Sequence, residues 1–326
     1  MIATSAPTEQ IRSTRVVGRR ELADDVIELE LAANGPMPLA DWEPGAHIDL
    51  RLGLDVIRQY SLVPAASGED GRWAVAVLIE KEGRGGSKLI GHDLHVGSVV
   101  KTSGPRNHFA FEPGERYLFI AGGIGVTPFI AMSRAAARAG ADWRLAYLGR
   151  SRSSMAYVAD LEAEFPDRVD VYAADEGRRF DVDSTIAALA PETRVYCCGP
   201  DRLMNAVEEA MSTPELLPYV HLEHFHPRDT TDDTQNEEFT VYAAASDIEF
   251  IVPYDESVLM AADFAGVVVP GDCLEGTCGS CETRVLLGEV QHRDSILSPQ
   301  QRRESTSMMI CVSRAKPGCP RLELDL

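Results

Sequence analysis

The chain has 326 residues, which is the length of two or three domains, and its formal net charge is −20. Hydrophobic residues account for 44% of the sequence and charged residues for 25%, as in ordinary globular proteins. The acidic charge excludes nucleic-acid binding, because that function requires a basic surface. The first ten residues lack the basic and apolar segments of a secretion signal, and the most apolar stretch, 117–132, is interrupted by glycines and a proline. We therefore expect a cytoplasmic protein without a membrane span.

The first part of the chain, residues 1–113, predicts a small antiparallel β-barrel. Short runs rich in strand-forming residues alternate with turn residues, which is the pattern of all-β domains. The predicted strands are Ile11–Val17, Val26–Leu31, His47–Leu52, Ile57–Leu62, Trp73–Ile79 and Ser98–Ser103.

Two motifs in this part indicate a site for FMN. They are Arg58-Gln59-Tyr60-Ser61-Leu62 on a strand and Arg84-Gly85-Gly86-Ser87 before a helix. In the strand, Arg58 and Tyr60 share one face and Ser61 lies on the other. The Arg58 guanidinium suits the phosphate or the ring of the flavin, and the Tyr60 side chain suits its sugar or its ring. The Ser61 hydroxyl suits a nitrogen of the flavin ring. An ordinary amphipathic strand explains the first motif equally well.

The second motif predicts a phosphate cradle. Two glycines followed by Ser87 as the helix N-cap leave backbone N–H groups free at the helix start, and Arg84 adds positive charge. A simple turn with a cap is the alternative, but the two motifs together favour a flavin site.

From residue 114 to residue 228, strands and helices alternate, which predicts a parallel doubly wound sheet. The predicted strands are Tyr117–Ala121, Arg144–Leu148, Val169–Ala173 and Arg194–Cys198, and the predicted helices are Pro128–Ala139, Met155–Glu164, Asp183–Leu189 and Asp201–Met211.

Two loops of this sheet are candidates for binding a dinucleotide. The candidate residues are Gly122, Gly123, Gly125, Thr127 and Pro128 in the first loop, and Cys198, Gly199 and Pro200 in the second. The first loop lacks the usual G-x-G-x-x-G pattern, but its glycines would let a pyrophosphate approach, with Thr127 as the cap of the next helix and Pro128 in its first turn. The second loop lies at the carboxyl edge of the sheet, where ligands bind in open α/β folds. Cys198 would lie beside a nicotinamide, or else be a small buried core residue like Cys197.

Residues 229–238 are polar and acidic without periodicity, which predicts a linker before a compact α+β domain at 239–326. From Asp229 to Leu326 there are 18 acidic and 7 basic residues, a net charge of −11. This charge serves either solubility or steering toward a basic patch on an electron acceptor, and both interpretations stay open.

Four cysteines of the last domain have the spacing of plant-type [2Fe–2S] proteins. Cys273, Cys278 and Cys281 form C-x4-C-x2-C, and Cys311 follows after 29 residues. Glycines between the first three ligands allow a tight loop, and we expect Cys311 to lie on a buried strand. A zinc site usually has two C-x2-C pairs, and disulfides are rare without a secretion signal, so a cluster is the favoured interpretation.

The sequence resembles the phthalate dioxygenase reductase family from Ile11 to Leu326. The matching motifs are Arg58-x-Tyr60-Ser61-Leu62, Arg84-Gly-Gly-Ser87, Ala121-Gly-Gly-Ile-Gly-Val-Thr-Pro128, Cys198-Gly-Pro200, Glu223-x-Phe225, the four cysteines and His292-Arg293-Asp294. The resemblance implies an FMN barrel, an NAD domain and a C-terminal β-grasp ferredoxin domain. It also implies FMN rather than FAD, and a position for Phe225 near the flavin ring.

These three parts predict an electron relay. A reduced nicotinamide gives two electrons as hydride, a [2Fe–2S] cluster accepts one, and a flavin connects the two. We therefore expect no catalytic acid or nucleophile. By resemblance, the acceptor is a Rieske-type oxygenase of aromatic compound catabolism, which the reductase contacts as a monomer by transient electrostatic docking. The alternatives are a stand-alone flavin or iron reductase, for which a fused ferredoxin is superfluous, and a cluster-based redox sensor, which would need an effector or DNA-binding module.

The nucleotide preference depends on residues 149–154. Family members that use NADH tend to have an acidic residue after the second strand of the nucleotide domain, whereas this chain has Arg150 and Arg152 among several hydroxyls. Arginines in this position suit a 2′-phosphate, or they form a solvated helix entry. We expect NADH, with NADPH as the open alternative.

Overall fold

The computed structural model describes residues 11–53, 56–82, 85–228 and 236–326. The chain separates into two compact units, 1–207 and 208–326. The predicted linker lies outside the described residues except for 236–238, and the predicted domain boundaries at 113, 228 and 238 remain predictions.

The first unit begins with the predicted barrel. Its elements are β1 (Arg12–Ala23), β2 (Val26–Ala33), β3 (His47–Arg51), β4 (Ile57–Val63), β5 (Trp73–Leu78), α1 (Gly86–Asp93) and β6 (Val99–Arg106). The strands close in the order β1-β2-β5-β4-β3-β6, and all neighbouring pairs are antiparallel. Strand β1 runs six residues beyond its predicted end at Val17, because a register shift between Val16 and Gly18 lets the ladder with β2 continue.

A parallel sheet completes the first unit. Its elements are β7 (Arg116–Gly122), α2 (Thr127–Arg138), β8 (Asp142–Gly149), α3 (Val158–Glu164), β9 (Val169–Ala173), α4 (Val182–Ala187), β10 (Arg194–Cys198) and α5 (Asp201–Ala210). The unit ends within α5, at Val207, so that Glu208 belongs to the second unit. Strands β10, β7, β8 and β9 are neighbours in that order and parallel. Helix α3 begins three residues later than predicted, because Tyr157 before it has a left-handed φ of 59°.

Barrel and sheet share one hydrophobic core, which explains why they form a single unit. The core joins Val26 and Val63 of the barrel to Phe119, Phe129 and Tyr196 around the parallel sheet. The carboxyl end of β7 and the barrel strand β4 are therefore held in one packed body, on which the predicted nucleotide and flavin residues lie.

The second unit contains β11 (Val220–Glu223), β12 (Phe239–Ala243), β13 (Ile248–Val252), α6 (Val258–Phe264), β14 (Glu282–Leu287), β15 (Val290–Gln291), α7 (Pro299–Glu304), β16 (Ser307–Met309), β17 (Arg314–Ala315) and β18 (Arg321–Leu324). The main sheet has the order β13-β12-β18-β14-β16. Strand β18 is inserted beside β12 and parallel to it, whereas the other neighbours are antiparallel. This is the predicted β-grasp arrangement, so the fold class is confirmed.

None of the helices in the described part of the chain combines the length and apolar character that crossing a membrane requires.

Candidate functional sites

The four cysteines predicted to bind a cluster converge in the second unit. Hydrogen bonds with Cys278 and then Cys311 lower the pKa of the Cys273 thiol, and a hydrogen bond with Cys311 lowers the pKa of Cys281. The same contacts raise the pKa values of Cys278 and Cys311, because one proton is shared between neighbouring sulfurs. The four thiols thus form one contacting series, in which Cys278 contacts Cys273, Cys273 contacts Cys311, and Cys311 contacts Cys281.

Four thiols that converge in this way fit a [2Fe–2S] cluster, which is held by four cysteine thiolates. Among the described residues, no three His, Cys, Asp or Glu side chains surround a position for a single metal ion. The backbone N–H groups of Glu275 and Thr277 both donate to Cys273 Sγ at 3.4 Å, so the loop supplies the hydrogen bonds that stabilise a thiolate ligand.

Gly276 is required by the packing of this loop. It has φ +71°, and a Cβ there would lie 2.6 Å from Val312 Cγ2 and 3.1 Å from Asp294 Cα. The loop is therefore pressed between the segment with Asp294 and the turn that carries Cys311. That turn corrects a prediction: Cys311 is buried but follows strand β16, because Val312 and Ser313 both donate to the Met309 carbonyl and end the strand there.

The predicted flavin residues lie on β4 and at the start of α1. A Cβ on Gly86 would lie 2.5 Å from Arg58 Nε, so the arginine side chain passes over the helix start. The Ser61 hydroxyl is buried and has no hydrogen-bond partner among the described residues. The buried Ser61 hydroxyl fits a bound flavin ring, because the ring would give it a hydrogen-bond partner. Arg58 and the N-terminus of α1 fit a flavin phosphate, because a guanidinium and backbone N–H groups both favour an anion.

Leu62 and Tyr60 are the other predicted flavin residues on β4. The side chain of Leu62 packs in the barrel core, and its N–H donates to the Ala46 carbonyl. Burial raises the pKa of Tyr60, while Arg58 beside it lowers that pKa. Arg84 lies outside the described residues.

The predicted N-cap of α1 was wrong. Gly85, with φ 86°, occupies the N-cap position, and the Ser87 hydroxyl accepts instead from the backbone N–H of Glu80 at 3.1 Å. Because a residue with positive φ is needed at this point, glycine takes the cap and serine moves into the first turn. The backbone N–H groups at the helix start thus carry no side-chain cap.

The two predicted dinucleotide loops contact each other through their backbones. A Cβ on Gly125 would lie 2.3 Å from the Cys198 carbonyl oxygen, and one on Gly122 would lie 2.5 Å from Pro200 Cδ. A Cβ on Gly199 would in turn lie 2.9 Å from Gly122 Cα. These glycines are therefore needed for the loops to meet.

The structure gives the positions of the remaining residues of the two loops, and nucleotide binding by them remains a prediction. Gly123 has φ +56°, and no described atom outside its chain neighbours lies within 4 Å of an added Cβ, so a pyrophosphate would have room to approach. Pro128 lies in the first turn of α2, as predicted. Thr127 does not cap this helix, because a 3-10 turn from Gly123 to Val126 precedes it; its hydroxyl donates to the Ile124 carbonyl. Cys198 is fully buried, as is Cys197, whose pKa is raised by burial.

Arg150 and Arg152 follow β8, as predicted from the sequence. Arg152 is held by two carboxylates, with Nη1 at 2.8 Å from Glu162 Oε2 and Nε at 2.7 Å from Glu176 Oε1. The hydrogen bonds that Arg152 donates to these carboxylates raise the pKa of its guanidinium. Phe225 belongs to the second unit, where its side chain is 37% exposed, and its position near a flavin remains a prediction.

Sequence reasoning missed several residues of these sites. Ser280 Oγ lies 3.1 Å from Cys278 Sγ and accepts from the Asp272 N–H, so it closes the cluster loop. Its position between two predicted ligands was a usable signal. Glu162 lies on the next helix, α3, and Glu176 lies beyond that helix and strand β9, so no local pattern indicated either partner of Arg152.

Comparisons with known proteins agree with this picture. A family model described as a 2Fe-2S iron-sulfur cluster binding domain matches residues 241–316. The chain is 38% identical to a phenoxybenzoate dioxygenase subunit beta of Ectopseudomonas oleovorans, and the match covers 99% of both chains. A solved phthalate dioxygenase reductase is 34% identical with a TM-score of 0.66, covering 97% of this chain and 98% of that one. An intact type IV self-sufficient cytochrome P450 monooxygenase is 41% identical with a TM-score of 0.86 over 97% of this chain, which spans 41% of that longer protein.

Fold and sites together define a reductase with a flavin barrel, a nicotinamide-nucleotide sheet and a [2Fe–2S] domain. The chain belongs to the phthalate dioxygenase reductase-like family. The predicted family, the cluster, the flavin and nucleotide cofactors and the electron-transfer function are thereby confirmed.

Proposed function

We propose that this chain is the reductase component of a multicomponent Rieske-type oxygenase, that it is monomeric and cytoplasmic, and that it uses NADH and FMN. The observation that carries the proposal is the combination of four converging cysteines with a flavin strand and two contacting dinucleotide loops in one chain. When bound, the cofactors supply the redox chemistry: hydride transfer to the flavin and single-electron transfer through the cluster.

The protein's own residues bind and orient these groups. Arg58 and the N–H groups at the start of α1 would hold the flavin phosphate, and Ser61 would gain a hydrogen bond to the ring. The backbone contact of Gly122 and Gly125 with the loop at Cys198 would shape the nicotinamide site and exclude water. The four cysteines would hold the cluster, with backbone N–H groups stabilising the Cys273 thiolate.

The pairing of Arg152 supports NADH over NADPH. A 2′-phosphate at this edge of the sheet would have to displace Glu162 or Glu176 from the guanidinium and would meet both negative charges. Replacing both, Glu162→Gln with Glu176→Gln, is expected to raise kcat/KM for NADPH relative to NADH about three- to tenfold, a modest change because the pairs are exposed.

The matched control for this prediction is Glu164→Gln on the same helix, which pairs with Arg134 instead. Steady-state ferricyanide reduction with each nucleotide measures the ratio. If the ratio of kcat/KM for NADPH to kcat/KM for NADH is the same in the double variant as in the wild-type protein and the control, Glu162 and Glu176 do not set the nucleotide preference.

The charge of the segment 239–283 supports docking to a basic patch on an oxygenase. This acidic segment has eight acidic and no basic side chains, and its Phe264, Val268 and Leu274 are exposed. Its helix α6 begins near a cluster ligand, since the Leu259 N–H donates to the carbonyl of Ile310, next to Cys311. An acidic segment with exposed apolar side chains fits a transient partner with the opposite charge.

A haem monooxygenase is the second candidate acceptor. The observation that favours it is the 41% identity to part of a self-sufficient cytochrome P450 monooxygenase. A cytochrome P450 partner would use the same acidic segment, and reconstitution with each acceptor distinguishes the two candidates.

Reconstitution tests the proposed partner. The purified chain with NADH should support turnover of a purified Rieske-type oxygenase from the same organism, and turnover should fall as salt is raised, because screening weakens attraction between exposed charges. Ferricyanide reduction is the control: ferricyanide is an anion, so its reduction should not fall with salt. Turnover of a cytochrome P450 but of no Rieske-type oxygenase would refute this assignment.

A further inference from the structure

The segment after β11, residues 224–228, is bonded to the core of the ferredoxin-like domain through Ser295. The Ser295 hydroxyl accepts from the Arg228 N–H at 2.9 Å and donates to the His226 carbonyl at 3.2 Å. The Ser295 N–H donates to the Gly276 carbonyl at 2.9 Å, in the loop between Cys273 and Cys278. The buried Ser295 therefore bonds to residues 226 and 228 through its hydroxyl and to the cluster loop through its backbone N–H.

An ion cluster reinforces the same junction. Glu208 pairs with Arg228 through Oε2 at 3.1 Å and with Arg302 of α7 through Oε1 at 2.5 Å. Arg302 also donates to the Leu297 carbonyl at 2.8 Å. Burial lowers the pKa of Arg302, while Glu208 raises it, so the carboxylate compensates a guanidinium that has lost solvent.

These contacts go beyond what a flexible tether requires. Removing the partner of a buried charge is costly, and a hydroxyl that is both donor and acceptor has one preferred placement. The junction thus holds residues 224–228 at a fixed place relative to the cluster loop. The Gly276 carbonyl that Ser295 binds lies between Glu275 and Thr277, whose N–H groups donate to Cys273 Sγ.

We propose that Ser295 and Glu208 are positioning residues that hold the cluster loop against residues 224–228, and that they thereby set the rate at which the cluster is reduced. The inference rests on the proposed function, because it requires the four cysteines to hold a cluster that receives electrons from the flavin. No protein bond forms or breaks in this step: NADH would supply two electrons to the flavin, and the cluster would accept them one at a time.

The test compares Ser295→Ala and Glu208→Gln with two matched controls in the full-length holoprotein. The controls are Ser307→Ala, whose hydroxyl contacts Glu282, and Glu209→Gln, the exposed neighbour of Glu208. Stopped-flow mixing with NADH should show unchanged flavin reduction in all four. Cluster reduction should slow about tenfold in Ser295→Ala and Glu208→Gln, since each loses a buried or charge-assisted hydrogen bond.

Two further measurements separate positioning from loss of the cluster. The EPR spectrum of the dithionite-reduced cluster should be unchanged in both variants. Amide hydrogen exchange in 224–228 should be faster in Ser295→Ala than in Ser307→Ala, because the Arg228 N–H has lost its acceptor. Cluster reduction and exchange that match the controls would overturn the inference. A wild-type protein whose cluster is not reduced by NADH would instead refute the proposed function.

Discussion

Replacing Cys311 with serine is expected to abolish NADH-driven reduction of cytochrome c, by more than about a hundredfold, while ferricyanide reduction persists. Substitutions that only support metal ligands already cost roughly ten- to a hundredfold, and this one removes a ligand. Cys311 contacts both Cys273 and Cys281, so its loss removes the thiol that lies between two of the other predicted ligands. The flavin strand and dinucleotide loops belong to the other compact unit and keep their packing.

Cys319→Ser is the matched control. Cys319 is a half-buried free cysteine of the same domain, and its thiol contacts only backbone groups among the described residues. The Cys319→Ser protein should retain cytochrome c reduction, ferricyanide reduction and the absorption of the cluster. Cytochrome c reduction that survives in the Cys311→Ser protein would mean that electrons leave from the flavin directly, and the relay would be wrong.

Gly125→Ala is expected to raise KM for NADH at least about tenfold. The new Cβ would lie 2.3 Å from the Cys198 carbonyl oxygen and 2.9 Å from the Gly199 nitrogen, which are backbone atoms that do not move aside easily. Forcing an extra methyl into such a contact costs roughly 1–3 kcal/mol, and here the cost falls on the loops predicted to shape the nicotinamide site. Initial rates of ferricyanide reduction at varied NADH measure the effect.

Gly35→Ala is the control for this substitution. No atom lies within 4 Å of its expected Cβ, and its φ is not positive. Flavin content and cluster absorption should be normal in both proteins. If KM for NADH is the same in both, the two loops do not form the nucleotide site.

The sequence predicts the strands well where burial is continuous. Strands Val169–Ala173 and Arg194–Cys198 have their predicted ends, because apolar runs in a parallel sheet are bounded by polar turns. Errors occur where the backbone leaves the regular pattern. Tyr157 in a left-handed conformation delays α3, and the shift near Gly18 extends β1 beyond a position that local alternation marks as its end.

Site residues were likewise predicted where the signal is local in sequence and missed where distant elements or irregular backbone decide. The cysteine spacing is a local signal, and it predicts a convergence that the structure shows. The caps were mispredicted at Ser87 and Thr127, because the left-handed Gly85 and a preceding 3-10 turn decide where the helices begin. The pairing of Arg152 with Glu176, like that of Glu208 with Arg302, is made only when distant elements meet, and no spacing rule reveals it.

Anaerobic addition of NADH, followed by absorption and EPR, tests the relay most directly. In the wild-type protein the flavin absorption should bleach and the signal of a reduced [2Fe–2S] cluster should appear. In the Cys311→Ser protein only the flavin should bleach. A wild-type cluster that stays oxidised after NADH has bleached the flavin, yet is reduced by dithionite, would contradict the account.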